Sequence, residues 1–80
     1  MTRAYIAVSS KAGEYAGTAR IIKETVEKLR GVIKVDLIFG RFDLMVEVAV
    51  KDFEELVQLV EEIEGVENVT DTETFVSYSN

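Results

Sequence analysis

Hydrophobic and polar positions alternate from Thr2 to Val8: Ala4, Ile6 and Val8 fall on one side, Arg3, Tyr5 and Ala7 on the other. A period of two predicts a first strand. Ser9-Ser10-Lys11-Ala12-Gly13 reads as a loop by composition. From Glu14 the period changes. Tyr15, Ala19, Ile22, Val26 and Leu29 recur at spacings of three and four, which predicts an amphipathic helix with room for a Glu24–Lys28 pair on its surface. Gly31 follows the last apolar position, where a helix ends easily because glycine accepts a positive φ.

A second strand is predicted over Val32 to Phe39, with Ile33, Val35, Leu37 and Phe39 on one face. Gly40-Arg41-Phe42 is a short connection. After Asp43, the residues Leu44, Val46, Val48 and Val50 alternate with Met45, Glu47 and Ala49, so the two runs form an antiparallel hairpin. Asp52 and Glu55 have the spacing of a capping box, opening a second helix whose buried stripe is Phe53, Leu56, Val57, Val60 and Ile63. Gly65 is expected to stop it as Gly31 stops the first. Val66 to Tyr78 is a last extended run, with Thr72, Thr74, Val76 and Tyr78 on one side.

The halves repeat. Leu29-Arg30-Gly31-Val32-Ile33-Lys34-Val35 aligns with Ile63-Glu64-Gly65-Val66-Glu67-Asn68-Val69 at two helix-to-strand junctions. The order β-α-β-β-α-β predicts an α+β, ferredoxin-like fold: a four-stranded antiparallel sheet with both helices on one face, because right-handed crossovers place them on the same side. The other face is then uncovered. If the aliphatic set Leu44 to Val50 faces the helices, Tyr5, Met45, Ala49 and Phe75 face away, and this partly apolar surface is the expected dimer interface. An antiparallel sheet can also be simply solvated on one side.

Size sharpens that expectation. Eighty residues make one domain, taken as 1–80, whose lone core is thin. The chain has no Cys and no His, so neither disulfides nor a His- or Cys-based metal site can support it, and oligomerisation is the support left. No metal and no cofactor are expected. The absence of Cys fits the cytoplasm, and Met1-Thr2-Arg3 leads into a strand without the apolar core of a signal peptide. No apolar stretch approaches the roughly 18 residues of a membrane span. A net charge of −6, from 15 acidic and 9 basic residues, opposes direct nucleic-acid binding and anionic membranes and favours solubility.

Catalysis finds little material. The commonest general base and the best nucleophile are missing, and the serines have no evident base partner. Gly13-x-x-x-Gly17 lacks the Lys-Ser/Thr continuation of a phosphate loop. Glu54-Glu55 and Glu61-Glu62 read as a solvated helix face, and Asp43, Asp71 and Glu73 would need burial to do acid–base work. No catalytic residue is assigned. Two segments could instead hold a free amino acid. Gly40-Arg41-Phe42-Asp43 sets a cation, an aromatic ring and a carboxylate at a hairpin tip, and Thr72-Glu73-Thr74 sets two hydroxyls on one side of a strand. Both also have ordinary readings, as a turn and as a strand rich in Thr.

The same residues carry a family resemblance. Gly31-Val32, Gly40-x-x-Asp43, Gly65-Val66 and Thr72-x-Thr74-Phe75-Val76, in that order, resemble the effector-binding RAM domain of the Lrp/AsnC transcription regulators, over nearly the whole chain. Strand one begins at Thr2, leaving no room for the family's helix-turn-helix, so the sequence looks like the stand-alone members, without a DNA-binding domain. The resemblance implies a dimeric α/β barrel formed through the sheets, often assembled further into an octamer-like ring of four dimers, with small effectors bound where dimers meet. By position, Gly40, Arg41, Phe42, Asp43, Thr72 and Thr74 match the family's ligand segments. Phe42 stands where many members have Tyr. Such a module would sense an amino acid and modulate transcription indirectly, through mixed oligomers with full-length Lrp/AsnC regulators. A small dimeric α/β-barrel enzyme of monooxygenase or isomerase type, and an ACT-like regulatory module, share the topology and stay open alternatives.

Overall fold

The computed structural model of the chain describes residues 1–11 and 16–77. The elements are β1 (Thr2–Ser10), α1 (Ala16–Val26), β2 (Val32–Leu37), β3 (Leu44–Val50), α2 (Phe53–Glu64) and β4 (Val69–Ser77). The predicted helix start at Glu14 and Tyr15, and the predicted strand end at Tyr78, lie outside the described residues. The first strand is longer than predicted and takes in Ser9 and Ser10, whereas β2 stops two residues short of Phe39.

The four strands form one antiparallel sheet in the order β2-β3-β1-β4. Each helix therefore connects strands that are parallel to each other with one strand between them, the split βαβ arrangement predicted from the element order. Both helices pack on the same face, α1 against β1 and β2 and α2 against β1, β3 and β4. The inward set of the two central strands is Ala4, Ile6 and Val8 from β1 and Leu44, Val46, Val48 and Val50 from β3, all buried. Ala19, Ile22 and Val26 of α1 and Leu56, Leu59 and Ile63 of α2 close the core over them. Burying a Val, Leu or Ile side chain is worth about 1.5–3 kcal/mol, and these two strands and two stripes supply nearly all of the buried core.

Four local expectations change. In β2 the register with β3 slips between Val32 and Lys34, so Ile33 is bulged out and exposed while Val35 alone of that strand is buried. A bulge on an edge strand turns its side chain away from the core and discourages further pairing. In α2 the buried stripe is Leu56, Leu59 and Ile63; Phe53 and Val57 lie at its margin, 63% and 42% exposed. The two repeat glycines also differ. Gly31 has φ +98°, but Gly65 is right-handed at φ −83°, and the positive φ of the second junction falls on Asn68 (φ 75°). The ion pair found is Lys23–Glu27, at 2.6 Å across the C-terminal end of α1, rather than Glu24–Lys28.

The α2 cap follows the predicted spacing. Glu55 N–H donates to Asp52 Oδ1 at 2.9 Å, and Glu55 Oε1 accepts from the Lys51 N–H at 3.2 Å, one residue before the cap itself. No helix among the described residues is long and apolar enough to cross a membrane.

Candidate ligand-binding and association surfaces

The β2–β3 connection is closed by a hydrogen bond from Ile38 N–H to the Asp43 carbonyl, at 2.9 Å. Gly40 sits at its tip with φ +133°, a conformation side chains rarely adopt. Beside it the Arg41 guanidinium lies over the Phe42 ring, 5.7 Å from the centroid, a cation–π contact that holds the cation at the tip. Asp43 is tied to the neighbouring strand. Its N–H donates to the Val8 carbonyl at 2.9 Å, and its carboxylate accepts from the Ser10 N–H at 2.8 Å and the Ser10 hydroxyl at 3.2 Å. Ser10 is buried, so Asp43 takes over the pairing of β1 where the regular ladder with β3 ends.

The threonines belong to a different surface. The Thr72 hydroxyl donates to Glu64 Oε2 of α2 at 2.9 Å, which places it on the helix-covered side. Thr74 follows on the same side. With Val76 of β4 and Phe53, Val57 and Val60 of α2 it lines an open groove of about 470 Å³, whose rim carries Glu61 and Glu64. The groove exists because α2 is centred over Leu56, Leu59 and Ile63 and leaves the β4 edge only partly covered.

Val8 pairs with Leu44 on one side and Thr72 on the other. The hairpin tip and the threonine pair thus occupy the same end of the sheet with β1 between them, roughly two strand spacings or ~10 Å apart. Within one chain the six predicted ligand residues form two neighbouring surfaces, not one pocket.

The open face of the sheet is regular. Tyr5 pairs with Glu47 and with Phe75, Ala7 with Met45 and with Glu73, and Arg3 with Ala49 and with Ser77. The four predicted interface residues Tyr5, Met45, Ala49 and Phe75 therefore share one face, around an Ala7 already covered by its neighbours. Arg3 and Glu47 form an ion pair across it. Periodicity alone does not reveal that pair, since it needs the β1–β3 register. A further groove of about 400 Å³ lies at the far end of the sheet, lined by Arg30, Gly31, Val50, Lys51 and Glu55 among others. Among the described residues no group of three or more acidic side chains converges as a metal site.

Among the described residues the chain is a ferredoxin-like α+β fold with both helices on one face of the sheet, and sequence comparison makes the class specific. The profile of the Lrp/AsnC ligand binding domain matches residues 3–80, and the chain belongs to that family. Among solved structures it is similar to the protein TTHA0845 from Thermus thermophilus, with 27% identity and a TM-score of 0.88 over 100% of this chain and 96% of that one. It is similar in fold to the protein PHS023 from Pyrococcus horikoshii, with 23% identity and a TM-score of 0.83 over 100% of this chain and 93% of that one. Likeness in fold extends to AsnC of E. coli, with 19% identity and a TM-score of 0.81 over 99% of this chain and 52% of that one, so the chain spans about half the length of that protein. Comparison with curated proteins gives no match.

Proposed function

We propose that this chain is a ligand-sensing association module that works in the cytoplasm and catalyses no reaction. It pairs with a second copy through the open sheet face and takes a small effector, an amino acid, at Gly40, Arg41, Phe42 and Asp43 together with Thr72 and Thr74. It then biases the assembly of transcription regulators of its own family by joining them in mixed oligomers. The observation that carries this reading is the family match over residues 3–80, in a chain whose sheet face presents Tyr5, Met45 and Phe75 without a covering layer. A core this small gains from a second layer, and a partner sheet would supply one. The separation of the hairpin tip from the threonines by β1 suits a ligand shared between copies better than one held inside a single chain.

Binding to one assembly state in preference to another is enough to shift the equilibrium between them. A thermal-shift screen of the free amino acids tests the sensing claim. A ligand at a hundredfold its Kd should stabilise the protein by about 2.7 kcal/mol. No shift with any amino acid would remove the sensing part and leave only association.

A further inference from the structure

Cations are scarce in this chain, 9 against 15 carboxylates, and residues 52–80 hold none. Among the described residues, ion pairs take up Arg3, Lys23 and Lys34, and Arg41 lies over Phe42. Arg30 and Lys51 make no ion pair among the described residues, yet both border the groove at the far end of the sheet. Strand pairing brings them there together. The Ala49 N–H donates to the Gly31 carbonyl at 2.9 Å. Arg30 directly precedes Gly31 and Lys51 follows Val50, so two exposed cations leave the sheet from neighbouring segments just beyond that hydrogen bond. Gly31, Ala49 and Val50 line the groove beside them. Its volume of about 400 Å³ falls within the range of small-molecule sites.

Charge and shape select the ligand. Glu55 is the carboxylate in this lining, and its Oε1 already accepts from the Lys51 N–H at 3.2 Å as part of the α2 cap. Arg30 also borders an adjoining groove with Glu55 and Glu62, and it pairs with neither. Two cations against one engaged carboxylate make a locally positive groove in a chain of net charge −6. An Arg fork grips two oxygens of one anion and a Lys adds a point charge, a combination that suits phosphate. Two cations also favour a dianion over a monoanion. A polynucleotide would meet the repulsion of the whole acidic chain, whereas a single phosphate meets chiefly the nearby pair, because distant charges are screened. We propose that this groove binds a small phosphate monoester, with its phosphate between Arg30 and Lys51 and its organic body against Gly31, Ala49 and Val50. The site shares no residue with the proposed amino-acid site and only Ala49 with the association face, so it holds whether or not an amino acid binds.

Amide NMR titrations of the whole chain test this, with phenyl phosphate, inorganic phosphate, benzoate and a short single-stranded oligonucleotide as probes. Phenyl phosphate should shift the amides of Gly31, Ala49 and Lys51 saturably, and should bind more tightly than inorganic phosphate, which lacks the organic body, and than benzoate, which lacks the second charge. Arg30→Gln and Lys51→Gln replace exposed side chains, so their spectra away from the groove should stay those of the wild type. Each should weaken phenyl phosphate by roughly fivefold or more, and the double variant should abolish the saturable shifts. Arg41→Gln removes a cation at the other end of the sheet and should bind as the wild type does. The proposal is overturned by the absence of saturable shifts at the groove, by benzoate or inorganic phosphate binding as well as phenyl phosphate, or by an oligonucleotide binding more tightly. Wild-type affinity in Arg30→Gln or Lys51→Gln, or an equal loss in Arg41→Gln, would overturn it too. None of these results depends on an amino acid or on association, so failure here is read separately from failure of the proposed function.

Discussion

The carboxylate of Asp43 accepts two hydrogen bonds from Ser10, one from its N–H at 2.8 Å and one from its hydroxyl at 3.2 Å. This couples the start of β3 to the end of β1 at the point where the backbone ladder stops. It also gives a residue proposed to touch ligand a structural duty. Asp43→Ala leaves a buried serine without its acceptor, which costs about 1–3 kcal/mol. Ser10→Ala removes one partner of a surviving pair and should cost less, about 0.5–1.5 kcal/mol. Urea denaturation of both single variants and the double variant should show a coupling above about 0.5 kcal/mol. If Asp43→Ala abolishes an amino-acid response while unfolding at the wild-type urea concentration, the carboxylate acts on ligand and not on the turn.

The repeat glycines are predicted to behave oppositely. Gly31 has φ +98°, and an added Cβ would lie 3.0 Å from Val50 Cγ1 and 3.4 Å from Leu59 Cδ2. Backbone strain and overpacking act together there, so Gly31→Ala should lose roughly 2–4 kcal/mol. Gly65 has an ordinary right-handed φ, and its added Cβ would meet the Glu61 and Glu62 carbonyls at 3.5 and 3.6 Å, normal contact distances. Gly65→Ala should therefore be neutral or stabilising by about 0.4–1 kcal/mol, through a less flexible unfolded chain. Thermal melts of the two variants check the contrast; equal losses would contradict it.

That contrast also shows how far periodicity reaches. The alternation of Leu44 to Val50 was readable because β3 is a central strand with one face fully covered, so every second residue is buried. The element order and the open-face set Tyr5, Met45, Ala49 and Phe75 follow from the same rule. Edges are different. Ile33 belongs by pattern to the inward set of β2, yet a bulge removes it, because pairing on one side only tolerates a slipped register. The apolar positions of α2 span more of the helix than the sheet can cover, so the pattern alone could not show that Leu59 is buried while Phe53 and Val57 remain at the rim. The aligned Gly31 and Gly65 invite the same conformation, but the second junction reverses at Asn68. The Asp43–Ser10 and Arg3–Glu47 contacts join residues far apart in sequence, so they become visible only once the strands are in register.

Thr72 and Thr74 allow ligand and fold effects to be separated. The Thr72 hydroxyl makes one exposed hydrogen bond, to Glu64, so Thr72→Val should cost no more than about 1 kcal/mol. If the threonine pair contacts the effector, Thr72→Val and Thr74→Val should both lose the thermal shift given by the stabilising amino acid while their melts without ligand stay near the wild type. A retained shift in both variants would exclude the pair from the site.

The open sheet face is tested by one charge placed on its β4 edge strand. Phe75 pairs with Tyr5 on that face, and Phe75→Glu would bury a carboxylate against any partner sheet without touching the core of its own chain. The variant should fold with a melting temperature lowered by the loss of its partner, and its surface should no longer support face-to-face pairing.

Sedimentation equilibrium of the wild type beside Phe75→Glu, at matched concentrations, tests association through this face most directly. The wild type should have at least twice the 9.0 kDa mass of one chain, and Phe75→Glu should weaken that association at least tenfold. A wild type that stays at the single-chain mass, or a Phe75→Glu variant that associates as strongly as the wild type, would contradict it.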